Sequence, residues 1–166
     1  MSNSIAIKKK IKRFNKKIIV AGDKSLSIRW VLLSALANGR SIAKNLLMSE
    51  DVFAAINTVK KLGIQVNFKK KICIIYGKGI NGFKFKKNIT IDAKNSGTLG
   101  RLILGFLINT PYPIKLIGDK SLSQRDFKRI SDPLSKFGIS FKLNNKKNLP
   151  LTIFGSSNLK PIKYFE

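Results

Sequence analysis

Asp51-Val52-Phe53-Ala54-Ala55-Ile56-Asn57-Thr58-Val59-Lys60-Lys61-Leu62-Gly63-Ile64 returns, with other side chains, as Asp126-Phe127-Lys128-Arg129-Ile130-Ser131-Asp132-Pro133-Leu134-Ser135-Lys136-Phe137-Gly138-Ile139. The two stretches align without a gap: Asp51 with Asp126, Leu62 with Phe137, Gly63 with Gly138, Ile64 with Ile139. In the first, Val52, Ile56 and Val59 fall on one face at helical spacing. Gly63 then stands at C′, where a left-handed residue is wanted. A helix ended by glycine and followed by a strand is thus written twice.

Working outward from each copy gives the rest of a unit. The first pass reads as a strand at 18–20, a helix over 25–38, a strand at 41–46 and a helix from about 50 to 62. Strands at 64–68 and 72–76 complete it. The second pass reads as a strand at 89–92, a helix over 96–109 ended by Pro111 and Pro113, and a strand at 114–117. A helix over about 123–137, bent by Pro133, and strands at 139–143 and 151–154 follow. This is a tandem βαβαββ pattern, α/β (α+β) in class, and an internal repeat says more about a fold than a single motif does. A third pass would begin at 162–164, close to the last residue, Glu166. One face of a stacked repeat then lacks a neighbour, so the expectation is an incomplete fold: a fragment, or a chain that needs a partner.

The composition narrows the function classes. The chain of 166 residues has 33 Lys and Arg against 8 Asp and Glu, a formal net charge of +25. Lys, Ile, Asn and Phe, all abundant here, share A/T-rich codons, so compositional bias explains part of that charge. The competing reading is an electrostatic footprint for nucleic acid. Zinc spacing, a basic heptad and an aromatic RNA-recognition motif are all missing, and the dense basic stretch from Lys8 to Lys17 reads as a solvated edge. Without any His, imidazole cannot serve as base or ligand. Cys73, the only cysteine, sits in Ile72-Cys73-Ile74-Ile75-Tyr76 and reads as a buried strand thiol. No metal and no cofactor is expected. The apolar stretches around 30–37 and 102–108 are too short to span a bilayer, and no signal-type segment is read at the N-terminus. A cytoplasmic protein without membrane partners is expected.

Gly-Asp-Lys-Ser-Leu-Ser-x-Arg occurs at 22–29 and again at 118–125. The copies fall before the first helix of one unit and the second helix of the other, so descent of the repeat does not explain the match. Each puts a Gly turn, a Lys and hydroxyls at a helix start, with an Arg a few residues in. Such a terminus attracts anions through free N–H groups and the helix dipole, and Lys and Arg add charge-assisted bonds. The plainer alternative is that Asp23 or Ser25 caps the helix. Asn95-Ser96-Gly97-Thr98-Leu99-Gly100-Arg101 opens a third helix, where Gly97 lets backbone approach a ligand. Three such starts converge on a cleft for a ligand with several negative groups. The acids Asp23, Glu50, Asp51, Asp92, Asp119, Asp126, Asp132 and Glu166 form no carboxylate pair. Lys24 is therefore the candidate for proton transfer.

Ala21-Gly22-Asp23-Lys24-Ser25-Leu26-Ser27-Ile28-Arg29, Asn95-Ser96-Gly97-Thr98 with Arg101, and Gly118-Asp119-Lys120-Ser121-Leu122 with Arg125 resemble three successive motifs of the EPSP synthase family, in order and spacing. The resemblance implies an enolpyruvyl transferase fold, inverted α/β barrel-like, with the active site between two lobes. It implies that residues 1–20 belong to the other lobe and 21–166 to a partial lobe of two units and the start of a third. The implied substrates are shikimate 3-phosphate and phosphoenolpyruvate, and the full-length enzyme is expected to be a monomer. Carried over by position, Lys24 would touch both substrates, Ser25 and Arg29 would hold shikimate 3-phosphate, and Gly97 and Arg125 would hold phosphoenolpyruvate. Asn95, Thr98 and Arg101 would support them.

The pattern departs from the family at Ala21 and Asp126, where Pro is frequent. It departs also after Pro161-Ile162-Lys163-Tyr164, where a Ser-Ser/Ala-Gln stretch is expected. The isolated chain is therefore expected to be inactive. Two alternatives stand beside this reading. The sister UDP-N-acetylglucosamine enolpyruvyl transferase has Asn where Ser25 follows Lys24, and usually a loop Cys. A basic nucleic-acid-binding module without enzymatic activity would rest on the charge of +25.

Overall fold

Ser49 opens the first of the repeated helices, α2 (Glu50–Lys61), its hydroxyl accepting the Val52 amide at 3.4 Å. Glu50 and Asp51 lie at the positive end of the helix dipole and Lys60 and Lys61 at the negative end, each placement favourable. Past Leu62, Gly63 adopts φ +85°. Its amide donates to Lys60 at 3.0 Å and that of Ile64 donates to Val59 at 3.1 Å, the paired bonds that close a Schellman end. Gly138 has φ +96° at the matching place of the second unit. Both glycines adopt the left-handed conformation; Gly63 directly follows the cap of its helix, whereas Gly138 ends the turns that follow Ser135, the last helical residue of its unit.

The computed structural model describes residues 4–6, 8–10, 13, 15–69 and 72–165. In the first unit β1 (Asn38–Lys44), β2 (Gln65–Lys69) and β3 (Ile72–Lys78) form an antiparallel sheet in the order β1-β3-β2. In the second, β4 (Thr90–Asp92), β5 (Ile114–Ile117), β6 (Ser140–Asn144) and β7 (Asn148–Phe154) take the order β4-β5-β7-β6. β5, β7 and β6 thus repeat β1, β3 and β2, and β4 pairs parallel with β5. Helices α1 (Lys24–Leu36), α2 and α3 (Gly97–Phe106) pack on one another. Ile28, Val31 and Leu32 of α1 and Leu99, Ile103 and Leu104 of α3 are buried in one apolar core. Cys73 is buried in β3 and its thiol is pushed up to about 11 by burial, so it stays protonated and inert at neutral pH.

Four expectations are corrected. Residues 18–20 form no strand; Ile18, Ile19 and Val20 are exposed and lie outside any ladder. A short apolar run reads as a strand by composition, but the conformation needs a hydrogen-bonded neighbour. The third helix ends at Phe106, because Leu107 and Thr110 donate to the carbonyls three residues back, at 3.2 and 3.1 Å, and tighten the chain before Pro111. The helix read over 123–137 is two pieces, α4 (Lys120–Ser123) and α5 (Lys128–Ser135). Pro133 lies within α5. The break lies upstream, where fully buried Phe127 donates its amide to Lys147 at 2.8 Å and Asp126 accepts the Lys128 amide at 2.7 Å. Residues 162–164 are irregular. Glu166 and part of the stretch from Lys8 to Lys17 lie outside the described residues.

The two stop glycines make a test of the repeat. A Cβ on Gly63 would lie 2.2 Å from the Lys84 carbonyl oxygen, whereas the nearest atom to one on Gly138 is the Asn158 oxygen at 3.4 Å. Gly138→Ala is expected to cost only the left-handed penalty, about 1–2 kcal/mol. Gly63→Ala should cost clearly more, since backbone must also move. Urea denaturation measures both, and equal losses would contradict this packing.

Candidate anion-binding site

The first Gly-Asp-Lys-Ser phrase seats against the loop that follows β1. A Cβ on Gly22 would lie 2.4 Å from the Asn45 carbonyl oxygen and 3.2 Å from the Leu47 nitrogen, so only glycine allows this approach. Asp23 caps α1, its Oδ1 accepting the Leu26 amide at 2.7 Å. Ser27, 5% exposed, accepts the Leu47 amide at 3.1 Å. The Lys24 ammonium reaches the Asp51 carboxylate at 3.0 Å, its side chain 55% exposed and that of Asp51 13%. An ion pair so open to water contributes about 0–1 kcal/mol. It orders Lys24 without locking it away. Ser25 is half-buried, and Arg29 is exposed one helical turn further along α1.

The second site half is built on parallel strands. The ladder of β4 and β5 runs on into the loops beyond them: Ala93 donates to Ile117 at 2.9 Å and Asp119 to Lys94 at 2.8 Å. Ser96, buried, caps α3 by accepting the Leu99 amide at 3.2 Å. Asp119 caps α4, its Oδ1 accepting the Leu122 amide at 2.7 Å, while its Oδ2 accepts from the Asn95 side-chain amide. The Arg125 guanidinium lies over Gly97, where a Cβ would come within 2.9 Å of Nη1. Thr98 and Arg101 are half-buried on α3, and Arg101 Nε is enclosed without a hydrogen-bond partner among the described residues.

Two charged groups of this second half are shifted by their neighbours. Lys94 is held protonated above its ordinary range by its hydrogen bond to Asp92, then by the charge of Asp92 and, more weakly, by that of Glu50 at the start of α2. The Asp119 carboxyl is held below its ordinary range by the Leu122 amide first and the Asn95 amide second. A carboxylate with a depressed pKa adds stability above its unfolded value, lost as pH falls through the folded one. The bonds between the loops at 94–95 and 118–119 are therefore intact at neutral pH.

The structure thus brings Gly97 together with Arg125, and Asn95 with the second phrase. Lys24 meets an acid of the neighbouring helix. One part of the expectation changes. α4 is a single turn of four residues and Arg125 lies beyond its end, so the second phrase offers its guanidinium from a link and not from a helix. Asp51 and Asp119 were legible only as first-turn and capping acids; their ties to Lys24 and Asn95 cross 27 and 24 residues of chain, and no local spacing announces them.

An αβαββ unit followed by a βαβαββ unit, with Lys, Arg and a glycine-opened helix start gathered at the loops, has the architecture of a lobe of the enolpyruvyl transferase fold. The sequence profile of the family described as EPSP synthase (3-phosphoshikimate 1-carboxyvinyltransferase) matches residues 8–166. The 3-phosphoshikimate 1-carboxyvinyltransferase of Leuconostoc mesenteroides is 37% identical over 147 residues, 89% of this chain and 34% of that protein. The one from a Sulfurihydrogenibium species is 39% identical over 160 residues, 95% of this chain and 36% of its own length. The structure of EPSP synthase from Acinetobacter baumannii superposes with a TM-score of 0.83 at 32% identity, over 90% of this chain and 34% of that one. The chain belongs to the EPSP synthase family, and it spans about a third of the length of these relatives. No helix among the described residues is long and apolar enough to cross a membrane.

Gly97→Ala tests the closeness of Arg125. The clash is with the far end of a flexible side chain, so folding should be kept to within about 1 kcal/mol, the scale of a Gly–Ala exchange in a helix. The guanidinium should move off Gly97. A thermal melt and a crystal structure of the variant check both, and an unmoved Arg125 would contradict the contact.

Proposed function

We propose that this chain supplies one lobe's share of a site that transfers the enolpyruvyl group of phosphoenolpyruvate to the 5-hydroxyl of shikimate 3-phosphate, on the route to chorismate. The observation that carries the reading is the seating of Arg125 over Gly97 beside the start of α3, in a chain of this family. Both substrates are polyanions, and the candidate residues offer them cations and free backbone amides. In this assignment Lys24 meets both substrates, Ser25 and Arg29 hold shikimate 3-phosphate, and Gly97 and Arg125 hold phosphoenolpyruvate. Asn95, Thr98 and Arg101 support the second group.

The reaction is an addition followed by an elimination. The 5-hydroxyl gives up its proton as its oxygen bonds to the enol carbon, while the methylene takes a proton and becomes a methyl group. The tetrahedral intermediate then loses phosphate, and a proton leaves the methyl group to restore the double bond. Charge resides on phosphate and carboxylate throughout, so fixed cations stabilise it electrostatically without a covalent intermediate. Lys24, half-exposed and oriented by Asp51, is the group on this chain assigned to proton transfer. The reading also carries a cytoplasmic location, a monomeric full-length enzyme, no cofactor, and membership of residues 1–20 in the other lobe. Alone, the 166-residue chain is proposed to bind these anions without turning them over.

Arg29→Ala and Arg125→Ala test the assignment. A charge-assisted bond is worth about 1.5–3 kcal/mol, so each variant should lose about tenfold to a hundredfold in affinity. Arg29→Ala should weaken shikimate 3-phosphate and Arg125→Ala phosphoenolpyruvate. Both side chains are exposed, so melting should hardly change. Titration calorimetry beside a thermal melt reads both quantities. Unchanged affinities, or losses that follow unfolding alone, would reduce the repeated phrase to helix capping.

A further inference from the structure

An eight-residue phrase, identical but for Ile28 and Gln124, occurs twice in this chain; its copies are tied down differently, and the difference falls on one carboxylate. Asp23 accepts the Leu26 amide through Oδ1, the single bond a helix cap requires. Asp119 makes the same cap on Leu122 and makes two further bonds. Its Oδ2 accepts from Asn95, and its backbone amide donates to Lys94 at 2.8 Å. All three bonds lead toward one place. Asn95 directly precedes Ser96, the cap of α3, and Gly97 is the first residue of that helix. Leu122, fully buried, packs toward Gly97, Gly100 and Gly118 and accepts the Arg125 amide at 3.1 Å.

We infer that Asp119 is a positioning residue: by bridging Asn95 and the Leu122 amide it sets the start of α3 against α4, so that the Arg125 guanidinium stands over Gly97. It bonds to Asn95, a supporting residue, and to the Leu122 amide, but not to Gly97, and it acts on the Gly97–Arg125 contact through Leu122. Its charge also faces Arg125, a minor attraction that points the same way. The backbone of Arg125 is held from the other side by Asn148, whose side-chain amide donates to the carbonyls of Gln124 and Arg125 at 3.0 and 3.1 Å. Residues 120–127 therefore keep an anchor when Asp119 is changed, and what the change removes is register between the two loops. The consequence for binding rests on the phosphoenolpyruvate assignment made above; the consequence for geometry does not.

Asp119→Ser keeps a capping oxygen for Leu122 but cannot reach Asn95, and Asn95→Ala removes the bridge from its other end. Two measurements on the 166-residue chain decide the matter. The first, without ligand, is the proton–proton Overhauser contact between the Arg125 guanidinium and the Gly97 α-protons. It is expected in the parent and lost in both variants, while the melting temperature is retained. The second is titration with phosphoenolpyruvate and, separately, shikimate 3-phosphate. Each variant should lose about tenfold for phosphoenolpyruvate, the scale of a displaced charge-assisted bond, and nothing for shikimate 3-phosphate. The double variant should be no worse than either single one, as two ends of one bridge require. A contact retained in Asp119→Ser, or losses that add in the double variant, overturns the inference. A fall for both ligands together with melting makes Asp119 a structural cap and also overturns it. If the parent binds no phosphoenolpyruvate, the functional reading fails, and the Overhauser contact alone decides the positioning role.

Discussion

Parallel pairing of β4 with β5 is the constraint on which the site depends. Parallel neighbours end on the same side, so the loops that leave them are adjacent, and a helix starts from each. Here the ladder continues through Ala93–Ile117 and Asp119–Lys94, which places Asn95 beside Asp119 and Gly97 beneath Arg125. In open α/β sheets this side, at the carboxyl ends of the strands, is where ligands bind. An antiparallel hairpin between these strands would have sent the two loops to opposite ends of the sheet, and no such cluster could form.

The first unit reaches a like arrangement by other means. Its described residues provide β1 with no parallel neighbour, yet the loops at 21–23 and 45–49 still meet. Gly22 approaches the Asn45 carbonyl, Ser27 accepts the Leu47 amide, and Lys24 pairs with Asp51. Side chains do there what the strand ladder does in the second unit. The contrast explains why one eight-residue phrase appears twice in non-equivalent places. It is a device for starting a helix close to another loop while leaving a Lys and an Arg in solvent. The cationic groups are cheap to present, because the pair at Lys24 is worth about 1 kcal/mol or less.

Much of this was readable from residues in order, and the reason differs from case to case. Gly63 and Gly138 announced helix ends because a left-handed residue is sterically restricted to glycine in the main, and both adopt it. The strand at 114–117 was bounded by Pro113 and Gly118 and is found at those residues. Where a long-range bond decides, local pattern failed. Phe127 is drawn out of a helix by the Lys147 carbonyl, 20 residues away in sequence. The segment 18–20 is apolar and exposed, and nothing in its composition distinguishes that from burial. Asp119 looked like a cap and is one, but its second oxygen is bonded to a residue 24 positions earlier. The candidate positions were legible as motifs; the contacts of Lys24 with Asp51 and of Asn95 with Asp119 were not.

Amide chemical-shift mapping of the 166-residue chain with each substrate in turn examines the central claim most directly. Shikimate 3-phosphate should perturb the amides around Lys24, Ser25 and Arg29, and phosphoenolpyruvate those around Gly97 and Arg125, with the sheets beyond the site unmoved. Perturbations confined to the lysine-rich stretch at 8–17, or the same diffuse pattern from both ligands and from inorganic sulfate, would contradict it: the charge of +25 would then be the whole of the affinity, and the paired loops would be structure alone.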